Sequence, residues 1–383
     1  MLGFRSMGSN LDFYNLGATT AQRISELIST STLSIADGGL LDDFESRAAA
    51  LFGHRFGIAT CNGTAAIHLG LFAIGLEPGD EVIVPTYGFH AMVTPILQLG
   101  GRPIFCDIYP DSLTIDVEQA RALLNPRTRA ILILHPWGNP AHLGQLNQLA
   151  RERGIYLVSD GSHAHGATWC GSPIGKFCDV LCASFGKGKL ITGGELGIAT
   201  TNDPRLRDRM LLFGHVNRVP RAYLTESYKD IGNAVGIKYR PHPFALRLAI
   251  DQMDSYPERS RQLLANVAEL LGEIHLASLE TQHNFTESGR VFWQIILLAA
   301  PPLLVRLRNL AAAAGLIIEE NHYKPLLHEH SIFTKYYRLP QPRLARAEEV
   351  NPRIAQIDAL QLWNPAVVSK YAGLFRSLGD TSN

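Results

Sequence analysis

The chain lacks several features that identify other classes of protein. No run reaches the roughly 18 uninterrupted apolar residues of a membrane-spanning helix, so no span is predicted. The first residues, MLGFRSMGSNLDFYN, contain no apolar core followed by a small-residue cleavage site, so we expect a cytoplasmic protein. There is no excess of charge, because 35 Lys and Arg balance 35 Asp and Glu in 383 residues. A neutral chain argues against nucleic acid as the main partner.

Cysteine is scarce, and its pattern excludes two further classes. No C-x-x-C pair is present, so neither a disulfide framework nor a zinc site is predicted. The phosphate-binding P-loop requires a Gly-Lys pair followed by serine or threonine. It is absent here, because Gly188 follows Lys187 and Leu190 follows Lys189 in SFGKGK. The five cysteines are scattered at Cys61, Cys106, Cys170, Cys178 and Cys182.

Short apolar runs alternate with amphipathic stretches between residues 40 and 200. This order predicts an α/β fold with a mostly parallel sheet covered by helices on both faces. In such a sheet, ligands bind beyond the carboxyl ends of the strands. The predicted strands are 56–60, 81–85, 102–107, 129–135, 155–160, 180–184 and 197–201, with helices at 65–76 and 143–154.

The pattern changes after about residue 250. A long helix is predicted at 251–274, a strand at 291–299 and a helix at 302–314. We therefore expect a large domain over 1–250 and a smaller C-terminal α+β domain over 251–383.

The segment CNGTAA follows the first predicted strand. Backbone N–H groups at the start of the next helix, with the Thr64 hydroxyl, would suit a phosphate. The alternative is that Thr64 is an ordinary N-cap, which is the commoner role of threonine at such a position.

The segment VSDGSHAHGATW follows the fifth predicted strand. Asp160 at a buried strand end requires a cation or several hydrogen-bond donors, and a protonated pyridine nitrogen is one such cation. Asp160, His163 and His165 could also hold a metal ion, but no further ligand completes a recognised pattern, so no metal is expected.

The segment SFGKGKLITGGELG, residues 184–197, contains two lysines among glycines. A reactive lysine requires a partly desolvated pocket, and flanking glycines allow the backbone to approach a cofactor closely. If this segment is considered alone, the alternative is that both lysines are ordinary solvated residues of a loop. A phosphate-type turn, a strand-end aspartate and a lysine loop in one domain together match the requirements of pyridoxal phosphate.

The sequence resembles the DegT–DnrJ–StrS sugar aminotransferases, which are fold-type I pyridoxal phosphate enzymes. The resemblance covers residues 33–330. It rests on GGLLDDFESRAAALFG, NGTAAIHLGLFAIGLEPGDEVIVPTYGF, DGSHAHGA, SFGKGKLITGGELG and HYKPLLH, in the family's order.

The resemblance implies a role for each matched residue. Lys189 corresponds to the lysine that forms the Schiff base, and Asp160 to the partner of the pyridine nitrogen. His163 stands where the family often has a glutamine beside the ring hydroxyl, and Phe89 corresponds to the aromatic residue that stacks on the ring. The remaining matched residues are Gly63, Thr64, Ala65 and Ser184 at the phosphate, and His322 and Tyr323 at the substrate.

Some positions depart from the family pattern. Lys238, in GIKYR, replaces an asparagine that reaches the phosphate of the neighbouring subunit, a contact that a lysine can keep as a point charge. Leu196 replaces a glycine, and the segment after 345 matches poorly. Four basic residues could meet a substrate diphosphate, namely Arg218, Arg221, Lys229 and Arg240.

The resemblance implies an aminotransferase that works as a homodimer with shared active sites. Glutamate or glutamine would donate the amino group, and a keto sugar or related cyclic ketone would accept it, in amino-sugar or secondary-metabolite biosynthesis, including that of antibiotics. One alternative is a dehydratase of the same family, in which histidine as a rule replaces the lysine. The other is a non-catalytic regulatory protein that binds the cofactor.

Overall fold

A computed structural model describes residues 11–215, 218, 224–226, 236–277 and 279–379. Its largest feature is a seven-stranded sheet with the order β1–β9–β8–β5–β4–β2–β3. Only β9 runs antiparallel to its neighbours, which makes the sheet mainly parallel. The strands are β1 (Phe56–Thr60), β2 (Glu81–Pro85), β3 (Arg102–Cys106), β4 (Thr128–Leu134), β5 (Tyr156–Asp160), β8 (Val180–Ser184) and β9 (Gly197–Thr201).

Helices cover both faces of this sheet, as the continuous apolar strands predict. Alternate residues of a strand enter separate cores. Ile83 packs into the core that includes Phe44 of α3, while Val82 and Val84 pack with Leu69 of α4. The helices of this part are α1 (Leu11–Tyr14), α2 (Ala18–Ser29), α3 (Gly39–Phe52), α4 (Gly63–Ala73), α5 (Thr94–Gln98), α6 (Val117–Leu123), α7 (Leu143–Arg153), α8 (Pro204–Gly214) and α9 (Pro243–Met253).

The C-terminal part forms a four-stranded antiparallel sheet with the order β10–β12–β14–β13. A small third sheet, β11–β6–β7, joins two strands from before residue 250 to one strand from after it. The boundary at residue 250 stays a prediction. The elements are β6 (Thr168–Trp169), β7 (Ser172–Pro173), β10 (Glu280–Thr281), β11 (Ser288–Gly289), β12 (Gln294–Leu298), β13 (Glu319–Glu320), β14 (Ile354–Asp358), α10 (Tyr256–Leu276), α11 (Pro301–Ala313), α12 (Ala345–Val350) and α13 (Pro365–Gly379).

Two predicted elements differ from the structure. The long helix at 251–274 is wrong, because α9 ends at Met253 and α10 begins at Tyr256. Pro257 explains the break, since it has no N–H for residue 253 and its ring would clash with that carbonyl in a continuous helix. The predicted strand at 291–299 is shorter, because 291–293 bond to the turn at 137–138 before β12 begins. Across the described residues, no helix has the length and apolarity needed to cross a bilayer.

Candidate active site

The carboxyl edge of the large sheet brings together the side chains that the motifs single out. Asp160 ends β5, and Ser184 ends the neighbouring strand β8. Gly63 begins α4 directly after β1. The parallel register therefore sets the lysine loop that leaves β8 beside Asp160.

The structure distinguishes the two lysines of this loop. Lys187 is exposed, whereas Lys189 is partly buried and its Nζ lies 3.7 Å from the centre of a Trp293 ring. Burial lowers the pKa of Lys189 to about 8, and the nearby carboxylate of Asp160 acts in the opposite direction. An amine with this pKa is substantially neutral just above neutral pH, as nucleophilic attack on a carbonyl requires.

Asp160 is buried and interacts with the same lysine. One carboxylate oxygen accepts a hydrogen bond of 3.0 Å from the backbone N–H of Ser162. Burial raises the pKa of Asp160, while the bonds from Ser162 and the charge of Lys189 lower it. A second cation beside this carboxylate would therefore be strongly favoured.

His163 is held in one tautomer. Its Nδ1 accepts from the backbone N–H of Trp137 at 3.2 Å, so Nε2 carries the proton and faces the Tyr323 hydroxyl at 3.3 Å. Burial, with a smaller effect from the charge of Lys189, lowers the pKa of His163 well below its usual range. The ring is therefore neutral and presents an N–H to this part of the site.

His165 points elsewhere, which argues against the alternative of a metal site. Its Nδ1 accepts from the Ile191 N–H at 3.3 Å, and its Nε2–H donates to the Ser184 carbonyl at 3.0 Å. His165 thus braces both ends of the lysine loop. Within the part of the chain that the structure describes, no three Asp, Glu, His or Cys side chains are arranged to hold a metal ion.

The start of α4 has the features of an anion site. The N-cap is Asn62, whose side chain accepts from Ala65 N–H at 2.9 Å, so the alternative of Thr64 as the N-cap is wrong. Among the described residues, no acceptor pairs with the N–H groups of Gly63 and Thr64. A Cβ at Gly63 would lie 2.6 Å from that of Ser184, so only glycine allows this approach. Two free N–H groups beside a serine hydroxyl suit a phosphate.

Three other predicted residues, Phe89, Lys238 and His322, are exposed. The Phe89 side chain is 52% exposed, and its ring lies 4.1 Å from that of His90. His322 Nε2 lies 3.0 Å from a Glu319 carboxylate oxygen.

The basic residues considered for a diphosphate have different surroundings. Arg218 forms ion pairs with Glu45 and, at 2.9 Å, with Asp42, so its charge is already compensated. Arg221 and Lys229 lie outside the described residues.

An aromatic cluster, defined here as Tyr87, Trp137, Trp293 and Tyr323, was not predicted as a cluster, although Tyr323 was predicted on the substrate side. The indole N–H of Trp137 donates to the Tyr87 hydroxyl at 3.0 Å, and the Trp137 ring stacks on those of Trp293 and Tyr323 at 5.4 and 4.9 Å. Trp137 adopts a left-handed backbone conformation, φ 61°. Trp137 follows the end of β4, so the strand-end rule could have identified it. Trp293 lies inside a predicted strand, and the sequence gives no sign of its contact with Lys189.

Taken together, the fold and site define a class of protein that binds pyridoxal phosphate at the carboxyl edge of a mainly parallel sheet. The chain matches a solved aminotransferase from Psychrobacter cryohalolentis with a TM-score of 0.88, covering 95% of this chain and 97% of that one at 21% identity. This likeness concerns the fold.

Sequence comparison identifies the family. The model of the DegT/DnrJ/EryC1/StrS aminotransferase family matches residues 15–370, and the chain belongs to this family. The match extends beyond the 33–330 of the resemblance and includes most of the segment after 345. The chain is 32% identical over 270 residues to GDP-perosamine synthase from Escherichia coli O157:H7, covering 68% of this chain and 72% of that protein.

A second relative is named for an amino donor and its acceptor. It is L-glutamine:2-deoxy-scyllo-inosose aminotransferase from Streptomyces fradiae, 31% identical over 256 residues, which are 64% of this chain and 60% of that protein. The protein is therefore an aminotransferase with pyridoxal phosphate as its cofactor, as the resemblance implied.

Proposed function

We propose that this aminotransferase moves an amino group from glutamate or glutamine to a keto sugar or related cyclic ketone, in amino-sugar or secondary-metabolite biosynthesis. The relatives support this assignment, because one is named for an amino-sugar product and another for glutamine and a cyclitol ketone. The single observation that carries it is the juxtaposition of the Lys189 amine, with a pKa of about 8, and the buried carboxylate of Asp160.

Lys189 would hold the cofactor through Nζ and act as the general base. Pyridoxal phosphate, when bound, supplies an electron sink for charge that develops at the amino-bearing carbon. The neutral Nζ of Lys189 would take up the proton from that carbon of the donor and hold it until it is delivered to the cofactor. A positioned base of this kind contributes roughly 10²–10⁴-fold to the rate.

The remaining residues would bind and orient the cofactor. Asp160 would pair with the pyridine nitrogen and keep it protonated. The Gly63 and Thr64 N–H groups, with Ala65 and the hydroxyl of Ser184, would hold the phosphate at the start of α4. Two further side chains would contact the ring, His163 at its hydroxyl and Phe89 on its face.

The substrate side would include His322 and Tyr323. Tyr323 lies near Nε2 of His163, so a substrate in contact with the tyrosine hydroxyl would also lie near the cofactor ring. His322 lies next to Tyr323 in the chain, and its partly exposed ring would face the larger part of the acceptor.

We propose a homodimer in the cytoplasm, with Lys238 of each subunit at the phosphate of the other. The exposure of Lys238 and of the apolar Phe89 ring supports this arrangement, since both would gain contacts from a second copy.

Two alternatives carry different expectations. A dehydratase of this family is disfavoured because position 189 is lysine. A regulatory protein would bind the cofactor but would not react with amino donors.

A half-reaction distinguishes these functions. The visible absorbance band of the lysine-bound cofactor should disappear when glutamate or glutamine is added, and it should return when a competent keto sugar or cyclic ketone follows. An unchanged band with every amino donor would contradict the proposal. A screen of acceptors in the same assay would identify the substrate.

A further inference from the structure

Trp293 contacts the lysine loop at two separate points. The face of its ring lies 3.7 Å from the Lys189 amine, and its indole N–H donates a 2.6 Å hydrogen bond to the Gly188 carbonyl. That carbonyl belongs to the peptide that leads into Lys189. The same side chain therefore restrains both the peptide that precedes Lys189 and the amine at the end of the lysine side chain.

Gly188 makes this restraint necessary. Its φ is +84°, in the left-handed region that favours glycine. Because glycine has no side chain, this residue cannot hold the loop in place by packing. The loop is held from the other side by the Lys189 N–H, which bonds to the Gly186 carbonyl at 3.2 Å. The indole thus fixes the peptide plane that sets the direction of the Lys189 side chain.

Trp293 itself is anchored by its backbone to the turn after β4. Its N–H donates to the Trp137 carbonyl at 3.2 Å, and Val291 N–H donates to the Gly138 carbonyl at 3.1 Å. The approach is close enough that a Cβ on Gly138 would lie 2.1 Å from the Val291 carbonyl oxygen. The indole therefore has a fixed position relative to the large sheet.

The ring also packs on His163, with centroids 3.9 Å apart. The same ring therefore contacts both the lysine amine and the His163 imidazole. The face of an indole attracts an ammonium group more strongly than the face of any other aromatic side chain.

We propose that Trp293 is a positioning residue for Lys189, with its indole N–H fixing the Gly188 peptide and its ring face holding the amine in place. This inference rests on the proposed function of Lys189. The role differs from that of the cofactor-binding residues, because Trp293 would act through the lysine.

The charged and titratable groups around Lys189 allow a clear prediction of sign. Asp160 interacts with the amine from the end of β5, and the charge of the amine also acts on His163 and His165 in the loop that follows. Burial lowers the pKa of both histidines, to about 3 for His165, so they are neutral across the range in which Lys189 titrates. Among the described residues, the groups that favour the ammonium form of Lys189 against burial are then Asp160 and the Trp293 ring.

The test measures the pKa of Lys189 in the full-length protein without cofactor. Competitive labelling with acetic anhydride at a series of pH values, read by tandem mass spectrometry, reports both lysines, and the exposed Lys187 serves as an internal reference. Trp293→Leu removes the ring face but keeps an apolar side chain, so the pKa of Lys189 should fall by about 0.4–1.5 units. Trp293→Phe should give a smaller fall.

A second measurement separates the two contacts. Trp293→Phe loses the hydrogen bond to Gly188. At a pH well above 8, where the Lys189 amine is neutral in both proteins, this variant should capture added pyridoxal phosphate several-fold more slowly than wild type, as followed by the visible band. Trp363→Phe is the matched control, since Trp363 packs edge-on against Phe13 with centroids 5.6 Å apart. The control should leave both quantities unchanged.

An unchanged or raised Lys189 pKa in Trp293→Leu, or wild-type capture by Trp293→Phe, would overturn the proposal. Circular dichroism of each variant identifies a loss of folding, and the conservative Trp293→Phe provides the result if the leucine variant does not fold. Labelling needs neither donor nor acceptor. A failed transamination assay with a shifted Lys189 pKa would therefore reject the proposed function alone.

Discussion

At the scale of single residues, the chemistry depends on which lysine is desolvated. Lys187 and Lys189 are two positions apart in a glycine-rich loop, yet only Lys189 approaches Asp160 and Trp293. Burial of the amine is what distinguishes Lys189 as the nucleophile from the exposed Lys187.

Borohydride treatment of the protein with its cofactor should attach pyridoxal phosphate to Lys189. Lys189→Arg should abolish this attachment, because a guanidinium cannot be deprotonated in proteins, and Lys187→Arg is the control that keeps it. Cofactor capture should speed up as the pH rises through about 8, where the amine of Lys189 becomes neutral. Peptide mapping that finds the label on Lys187 would contradict the assignment.

Asp160→Asn should retain the cofactor but lose most activity. A neutral amide cannot hold the pyridine nitrogen protonated, and loss of such an electrostatic contact costs roughly 10²–10³-fold in the rate. The half-reaction rate measures this effect, and the visible band measures retention. A variant as fast as wild type would exclude Asp160 from the proposed role.

Phe89→Ala should weaken cofactor retention more than it slows the half-reaction. Loss of one stacking contact corresponds to about 2- to 12-fold in affinity. Equilibrium dialysis of the cofactor is the measurement, and an unchanged affinity would place Phe89 away from the ring.

At the scale of elements, the start of α4 combines three features that suit an anion site. Asn62 caps the helix, Gly63 allows it to approach Ser184, and two N–H groups stay free for an anion. The site is therefore made from the backbone, and its side chains mainly preserve the geometry.

Gly63→Ala should lower cofactor affinity strongly, because its Cβ would meet Ser184 at 2.6 Å and separate the helix start from the end of β8. Gly272→Ala in α10 is the matched control, since nothing lies within 4 Å of a Cβ there. The control should be neutral or stabilise the protein by up to about 1 kcal/mol. Cofactor titration and thermal unfolding of both variants give the comparison, and equal affinities would show that the approach is not needed.

At the scale of the whole molecule, the proposed dimer predicts that two inactive variants complement each other. Lys189→Ala lacks the reactive amine, and Lys238→Ala lacks the proposed contact with the neighbour's phosphate. In a mixed dimer, one site receives both substitutions and the other receives neither. Mixing should therefore restore up to about a quarter of wild-type activity if subunits exchange at random.

Sedimentation of the wild type provides the control for this experiment. A stable and active monomer would exclude shared sites. A dimer whose variants do not complement after exchange would place Lys238 at the phosphate of its own subunit, or away from it.

Much of the fold was predictable because the sequence patterns are local. All seven strands of the large sheet were predicted within one residue at each end, since buried parallel strands are short, apolar and bounded by turns. The helix at 251–274 was not, because an amphipathic pattern continued through Pro257, whose effect on the backbone outweighs the periodicity.

The sequence by itself determined the order of the motifs along the chain, the cofactor class and the candidate Asp160, and its resemblance to the family identified Lys189, because each motif is contiguous in the chain. Only the tertiary structure decided which lysine is desolvated and that Asn62 caps α4 in place of Thr64. It alone set Trp293 against a lysine 104 positions earlier in the chain. Burial and long-range packing depend on how separate segments fold onto one another, and no local pattern in the sequence specifies which distant segments come into contact.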